Sequence, residues 1–230
     1  MGLSKLYDAK YASNLYKEAL TEIVPYGWPR DRFQAVVAAG GSGERILDVG
    51  CGNGLLLWQF RHSFHQLVGL EFSAHRLEQA KTNLSTCNFK GILGSADSMH
   101  EVRTESVDQV ISADTIEHIA DVYTAAKELH RVLRPGGTLV INTPNIAFLK
   151  KRLRLLLGRF PSTSEPNEGV GDDLLFDGGH LHYFTFRSLR LILERAGFRM
   201  QKSIGYGPLG RLHNAYAPLT SVGVQWIATK

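Results

Sequence analysis

From Arg45 onward the sequence alternates short apolar runs with helix-forming stretches, and that rhythm limits the fold more than any other feature. RILDV at 45–49, QLVGLE at 66–71, FKGIL at 89–93, VDQVISA at 107–113 and TLVINT at 138–143 read as strands. LLLWQFR at 55–61, AHRLEQAKTNL at 74–84 and the segment from Val122 to Leu133 read as helices, with Ser73 and Asp121 at the starts of the last two. Arg134-Pro135-Gly136-Gly137 stops the third. Strands linked by single helices pair in parallel, because such a link carries the chain back to the same end of the sheet. An α/β fold with a doubly wound sheet and helices on both faces follows. FRSLRLILERAGF at 186–198 is a further helix stopped by Gly197, and FRMQKSIGY and SVGVQWIAT read as two strands able to pair antiparallel.

Two segments stand outside the rhythm: residues 1–44, largely helical and rich in Tyr, and residues 145–185, a long insertion between a strand and a helix. With 230 residues, 43% of them hydrophobic, the chain can bury one sizeable core, and a single domain spanning 1–230 is expected. Ligands of α/β sheets sit beyond the carboxyl ends of the strands, where long connections are usually functional. The N-terminal segment is therefore expected as a lid and the insertion as a cover for the ligand site.

ILDVGCGNG at 46–54 places Gly50, Gly52 and Gly54 at alternate positions directly after the first strand. A dinucleotide fingerprint wants a third small residue where this chain has Leu55, and no Gly-Lys-Ser/Thr follows for a phosphate-cradling loop. The turn thus permits close backbone approach without being tuned to a pyrophosphate. Asp48 precedes it, where an anionic ligand would be repelled. Glu71 ends the second strand, where an acid accepts from ribose hydroxyls. Asp97, in GSAD after the third strand, is placed to accept from an adenine amino group. Ribose, adenine and a cation in place of phosphate are the three parts of S-adenosylmethionine (SAM).

The ordered set DVGCGNG, Glu71, Asp97, VDQVISADTIEH and RVLRPGGTLVINTPN resembles the class I SAM-dependent methyltransferases, from Arg45 to the end. ILDVGCGNG looks like their first motif, LEFS their ribose-binding strand end, GSAD their adenine contact and LRPGGTLV the turn into their fifth strand. The resemblance implies a Rossmann-like, seven-stranded, mostly parallel sheet with an antiparallel last strand. It implies SAM as cofactor and S-adenosylhomocysteine as product. Carried onto this sequence, the cofactor-binding set is Asp48, Gly50, Cys51, Gly52, Gly54, Glu71, Phe72, Asp97, Ser98 and Asp114, with Tyr11 from the N-terminal segment.

Methyl transfer from a sulfonium is a displacement that needs the acceptor in line, and a hydroxyl acceptor needs a base or a metal to take its proton. SADTIEHIAD at 112–121 supplies Asp114, Glu117 and His118 after the fourth strand. Glu117 and His118 either start a helix or do chemistry. EHI resembles the EHV of ubiquinone-pathway O-methyltransferases, in which acid and histidine are associated with catalysis or a divalent metal, and on that likeness His118 is the base candidate. His180 and His182 in DGGHLHYFTF form a second pair that in an extended chain points to one side. They face the active site, bind metal with a carboxylate such as Asp177, or anchor the end of the insertion. His182 joins Glu117 and His118 in the catalytic set, and no metal ligand set is assigned.

In IAFLKKRLRLLLGRF, Leu149, Leu153, Leu156 and Phe160 recur at helical spacing while Lys150, Lys151 and Arg154 take the other face. This basic amphipathic helix, within 148–160, covers the acceptor pocket or makes peripheral contact with an anionic membrane. SEPNEGVGDD at 164–173 is a candidate flap, and Tyr7, Tyr11, Tyr16 and Trp28 are candidates for an aromatic lid beside a sulfonium. A net charge of +4 without a basic groove-entering stripe speaks against nucleic acid. Cys51 and Cys87 alone form neither a disulfide framework nor a zinc motif, and with no spanning apolar run a cytoplasmic setting is expected. The leading expectation is O-methylation of a small molecule in a biosynthetic pathway. Likeness to MetW-type proteins of methionine biosynthesis leaves a second, a SAM-binding partner or regulator of another enzyme. A nicotinamide oxidoreductase is disfavoured by Leu55.

Overall fold

The computed structural model describes residues 3–12, 20–24, 27–164 and 175–230. Strands β1 (Gly43–Val49), β2 (Phe64–Glu71), β3 (Phe89–Leu93), β4 (Val107–Ala113), β5 (Leu133–Pro144), β6 (Arg199–Ile204) and β7 (Gly223–Thr229) form one sheet in the order β3-β2-β1-β4-β5-β7-β6. β7 runs antiparallel to both neighbours, while β1 pairs parallel with β2 and β4, as do β2 with β3 and β4 with β5. The helices are α1 (Leu3–Ala12), α2 (Arg32–Ala38), α3 (Leu55–Gln59), α4 (Ala74–Asn83), α5 (Val122–Val132), α6 (Leu149–Leu156), α7 (Phe186–Arg195), α8 (Arg211–Ala215) and α9 (Ala217–Thr220). The N-terminal 44 residues are helical in α1 and α2, whereas 20–24 and 27–31 are not.

The apolar runs of the central strands alternate between two cores, as the two-residue period of a strand requires. Leu47, Val68, Val110 and Leu139 pack on one face with Ala125 and Leu129 of α5 and Leu189 and Leu193 of α7. Ile46, Leu67, Ile111 and Val140 pack on the other with Val36 of α2, Leu57 of α3 and Leu77 of α4. A sheet covered on both faces explains why these strands read as nearly unbroken apolar runs.

Caps match the sequence reading: the Ser73 side chain accepts from Arg76 N and Asp121 from Tyr123 N and Thr124 N. β5 departs from it by starting at Leu133, so that the Pro-Gly-Gly turn signal lies inside the strand. Its pairing with β4 slips between Val107 and Gln109, and Gly136 adopts φ +78 there. The C-terminal Lys230 then exchanges backbone hydrogen bonds with Gly136 and Gly137, which extends the strand past the turn.

A capping box opens α7: Thr185 Oγ1 accepts from Ser188 N at 3.1 Å and Ser188 Oγ from Thr185 N at 2.9 Å. Replacing an N-cap threonine by alanine costs about 1 kcal/mol. Thr185→Ala is therefore expected to lower stability in urea denaturation by about that amount.

Candidate functional site

At the carboxyl edge of the sheet a cavity of about 540 Å³ opens between the loops that follow β1, β2, β3 and β4, with α1 and residues 163–164 and 178–180 opposite. Its first wall is the glycine turn. Gly50 N and Cys51 N both donate to Leu70 O, at 2.8 and 3.0 Å, folding the turn onto β2. Gly50 holds φ +83, and a Cβ there would lie 2.2 Å from Thr115 Oγ1, so no other residue fits without moving the loop after β4. Gly52 N donates to Glu71 Oε2 and Ser73 N to Glu71 Oε1, each at 2.8 Å. A carboxylate has about four acceptor positions. Glu71, which lines the cavity, keeps acceptor capacity for a ligand's hydroxyls.

Asp48 is 1% exposed, and its Oδ1 has no hydrogen-bond partner among the described residues. Burial, with Glu71 nearby, pushes its carboxyl up to about 8. An unpartnered buried carboxyl on a cavity wall suits a cationic ligand and opposes a phosphate. Cys51, Phe72 and Asp97 also line the cavity; Ser98 is exposed and is absent from the lining, whereas Ser95 and Ala96 are present. The turn, Glu71 and Asp48 together therefore fit a nucleoside with a cationic arm.

The opposite wall follows β4. Asp114 holds φ +47, lines the cavity and pairs with Arg32 Nη1 at 2.6 Å. His118 lies at the end of a short 3-10 turn (Ile116–His118). Its Nδ1 is 3.0 Å from Gly179 O and 3.0 Å from the Tyr7 hydroxyl, which is itself 3.4 Å from Gly179 O. A carbonyl oxygen only accepts, so Nδ1 carries the proton and Nε2 the lone pair. Burial, then the neighbouring His180, lowers the His118 pKa to about 4, leaving a neutral imidazole at ordinary pH.

Glu117 stands behind this wall, 1% exposed and outside the cavity lining. Thr143 Oγ1 donates to its Oε2 at 2.9 Å, and burial, with Asp114 adding repulsion, holds it well above the usual carboxylate range. Its backbone oxygen accepts from Leu181 N and His182 N. His180 is itself extended, with φ -70 and ψ 116, yet the two histidines do not converge. His180 faces the cavity, its ring 4.6 Å from that of His118, while His182 turns toward Ala120 O at 3.3 Å and is absent from the lining.

Asp177 anchors this turn. With φ +43 and 2% exposure, it accepts from Ser162, from Thr163 and Ser164 through backbone and side chain, and from Tyr183 at 3.0 Å. Although burial opposes it, these donors hold its carboxyl far below the ordinary value. Thr163 Oγ1 in turn sits 2.7 Å from His180 Nδ1. Ligand atoms of Glu117, His118 and His180 lie within 4.8 Å of one another, a set able to hold a metal ion once Glu117 is ionised.

Tyr7, within α1, meets Phe72 edge-on at 5.9 Å and joins the two walls. The Tyr11 side chain, Tyr16 and most of the 164–173 flap lie outside the described residues. Trp28 is half exposed beside Arg211 and away from the lining. Sequence reasoning missed Lys10, Arg32 and Thr163 in the lining, since each reaches it from a distant segment, while Ser164 opens the stretch expected as a flap.

A family model described as a methyltransferase domain matches residues 20–203. The mitochondrial ubiquinone biosynthesis O-methyltransferase of Homo sapiens is 27% identical over 178 residues, covering 72% of this chain and 45% of that protein. A ubiquinone biosynthesis O-methyltransferase of Bradyrhizobium is 34% identical over 105 residues, covering 45% of this chain and 41% of that protein. The chain thus spans less than half the length of these curated relatives. Among solved structures, an S-adenosylmethionine-dependent methyltransferase from Mesorhizobium loti matches with TM-score 0.64 and 19% identity over 87% of this chain and 98% of that one.

The raised Asp48 pKa sets a pH dependence. The folded carboxyl keeps its proton up to about 8 whereas the unfolded one loses it near 3.8, so unfolding releases a proton between those values and stability falls as pH rises through them. Asp48→Asn is expected to raise the melting temperature of the ligand-free protein, increasingly so toward the upper end of that window, in scanning fluorimetry.

Proposed function

The chain belongs to the class I SAM-dependent methyltransferases, and on that premise we propose that it transfers the methyl group to a hydroxyl of a small-molecule acceptor in a biosynthetic pathway, with His118 as general base. The observation that carries this reading is the His118 imidazole: neutral, its Nδ1 proton committed to Gly179 O, and on the same cavity as the glycine turn. Both ubiquinone-pathway relatives named above are O-methyltransferases by description, which supports oxygen as the methylated atom.

SAM, the cofactor of this family, supplies when bound a methyl group activated by its sulfonium. Gly50, Cys51, Gly52 and Gly54 would give it close backbone approach, Glu71 would accept from the ribose and Asp97 from the adenine. Asp48 and Phe72 would face the cationic end, an acid and an aromatic ring both favouring positive charge. Asp114, neutralised by Arg32, lines the boundary with the acceptor half. His118 Nε2 makes no hydrogen bond among the described residues and is the atom to take the acceptor's proton. Gly179 fixes the tautomer, Tyr7 steadies the ring, and His180 keeps a second positive charge unfavourable beside it.

In this reading α1 is the lid. Tyr7 and Lys10 hold Gly179 and Gly178, while Asp8 Oδ1 accepts from Ser73 Oγ at 2.6 Å on the cofactor side. The insertion closes the acceptor side through Thr163, Ser164 and His180.

Titration calorimetry with SAM and S-adenosylhomocysteine is expected to show binding of both at micromolar concentration; binding of neither sinks the proposal. With a panel of phenolic acceptors, His118→Ala should lose about 100- to 10,000-fold in kcat while cofactor affinity stays within a few-fold. Because the base works only when neutral, the wild-type acid limb is expected near pH 4. Chelators should leave the rate unchanged; loss with a chelator and recovery with a divalent transition metal such as Zn²⁺ would replace the His118 base by a metal held by Glu117, His118 and His180. Cofactor binding without transfer to any acceptor would favour the SAM-binding partner instead.

A further inference from the structure

His180 lies on the cavity wall one residue after the carbonyl that fixes His118, and its ring too is tied down at Nδ1. That nitrogen is 2.7 Å from Thr163 Oγ1, which is itself 3.1 Å from Asp177 Oδ2. Asp177 is buried and accepts from Ser162, Ser164 and Tyr183 as well, so the carboxylate at the end of this chain of contacts is fixed in place. The backbone supports the same arrangement, with His180 N donating to Asp177 O at 3.2 Å. Among the described residues no hydrogen bond runs from Thr163 or Asp177 to His118, so the network serves His180.

The contacts decide where the proton sits. A hydroxyl has one proton to give, and an ionised acceptor takes it in preference to a neutral one. Against burial, its donors keep Asp177 ionised, so Thr163 donates to Asp177 and is left to accept at Oγ1. His180 Nδ1 must then carry a proton. Asp177 Oδ2, 3.7 Å from that nitrogen, favours the same tautomer, because a lone pair on Nδ1 would face a carboxylate. Burial lowers the His180 pKa, with Asp177 opposing and Lys10 and Lys151 adding to the effect, which leaves the ring neutral at ordinary pH. Nε2 is therefore an acceptor, and it makes no hydrogen bond among the described residues.

We propose that His180 binds the acceptor molecule, its Nε2 accepting from an N–H or O–H group other than the one that reacts, and that Thr163 and Asp177 are positioning residues that hold His180 in the tautomer able to do so. The two imidazoles of the wall, with ring centres 4.6 Å apart, then divide the work. His118 takes the proton, and His180 stays neutral and fixes the acceptor at a second point. Displacement at a methyl carbon depends on alignment, and two points of attachment restrict the acceptor far more than one. What His180 binds rests on the methyl-transfer reading; its tautomer rests on the hydrogen bonds alone.

The test has two arms. Nitrogen-15 NMR of the histidine rings distinguishes the tautomers, and it is recorded on the ligand-free full chain with a chelator present at about pH 8, above the ordinary histidine range. The His180 signals, assigned by their loss in His180→Ala, are expected to show a proton on Nδ1; a proton on Nε2 instead overturns the proposal. In the second arm, with a phenol that the wild type methylates, His180→Ala is expected to raise KM about tenfold and to leave kcat within a few-fold. Thr163→Val should raise KM by a smaller factor, and Thr163→Ser, which keeps the hydroxyl, should restore the wild-type value. Circular dichroism and SAM titration verify the folds, and the wild-type spectrum and Thr163→Ser do not depend on the valine variant folding. A His180→Ala loss confined to kcat, or Thr163→Ser behaving as Thr163→Val, overturns the proposal. A wild type that methylates no phenol sinks the methyl-transfer reading and the role of His180 together, whereas a proton on Nε2 in a chain that does methylate sinks this role alone.

Discussion

The carbonyl oxygen of Gly179 is the point on which the His118 side of the cavity rests. It lies within hydrogen-bond reach of His118 Nδ1 and of the Tyr7 hydroxyl, so one backbone atom brings together the loop after β4, the end of the insertion and α1. Since a carbonyl has no proton to give, it also decides which imidazole nitrogen carries one. The position of that carbonyl depends in turn on Asp177, Gly178 and Gly179, all at positive φ. Asp177 is the one of the three with a side chain, and its carboxylate gathers donors from Ser162, Thr163, Ser164 and Tyr183. A strained turn over-determined by hydrogen bonds is how a fold fixes a group that packing alone would leave loose.

The glycine-turn side of the cavity rests on a different constraint. Parallel strands end together at one edge, and the turn leaving β1 must pass close to β2, to the loop after β4 and to a ligand at once. Glycines at Gly50 and Gly52 permit this, and Glu71 uses both carboxylate oxygens to hold the turn and the start of α4. Asp48 is the counterweight: it is buried without a partner for one oxygen, at a cost to the ligand-free fold that a cationic ligand would offset. Tyr7 links the halves, touching Phe72 on one side and His118 on the other.

Much of this was legible in the sequence wherever the signal is local. β3 and β4 begin and end where their apolar runs do, and the Ser73 and Asp121 caps are one-residue signals that the structure retains. The glycine turn, Asp48, Glu71 and Asp97 follow strand ends, so order along the chain placed them on one edge. Local signals failed where a distant segment decided the outcome. The Pro-Gly-Gly turn was absorbed into β5 because the C-terminal Lys230 pairs with it. His182 lies outside the cavity, its ring toward Ala120 O and its backbone N–H donating to Glu117 O, 65 residues earlier. Tyr7 meets His118 across 111 positions and Arg32 meets Asp114 across 82, distances over which period and propensity say nothing.

Placing the methyl position against the base is the claim on which the rest of the functional reading turns, and a crystal structure with S-adenosylhomocysteine bound tests it most directly. The account predicts the adenosine along Glu71 and Asp97, the ammonium end toward Asp48, and the sulfur facing His118 Nε2 across open space for an acceptor. A sulfur directed away from His118, or His118 turned so that Nδ1 has left Gly179 O, would contradict it.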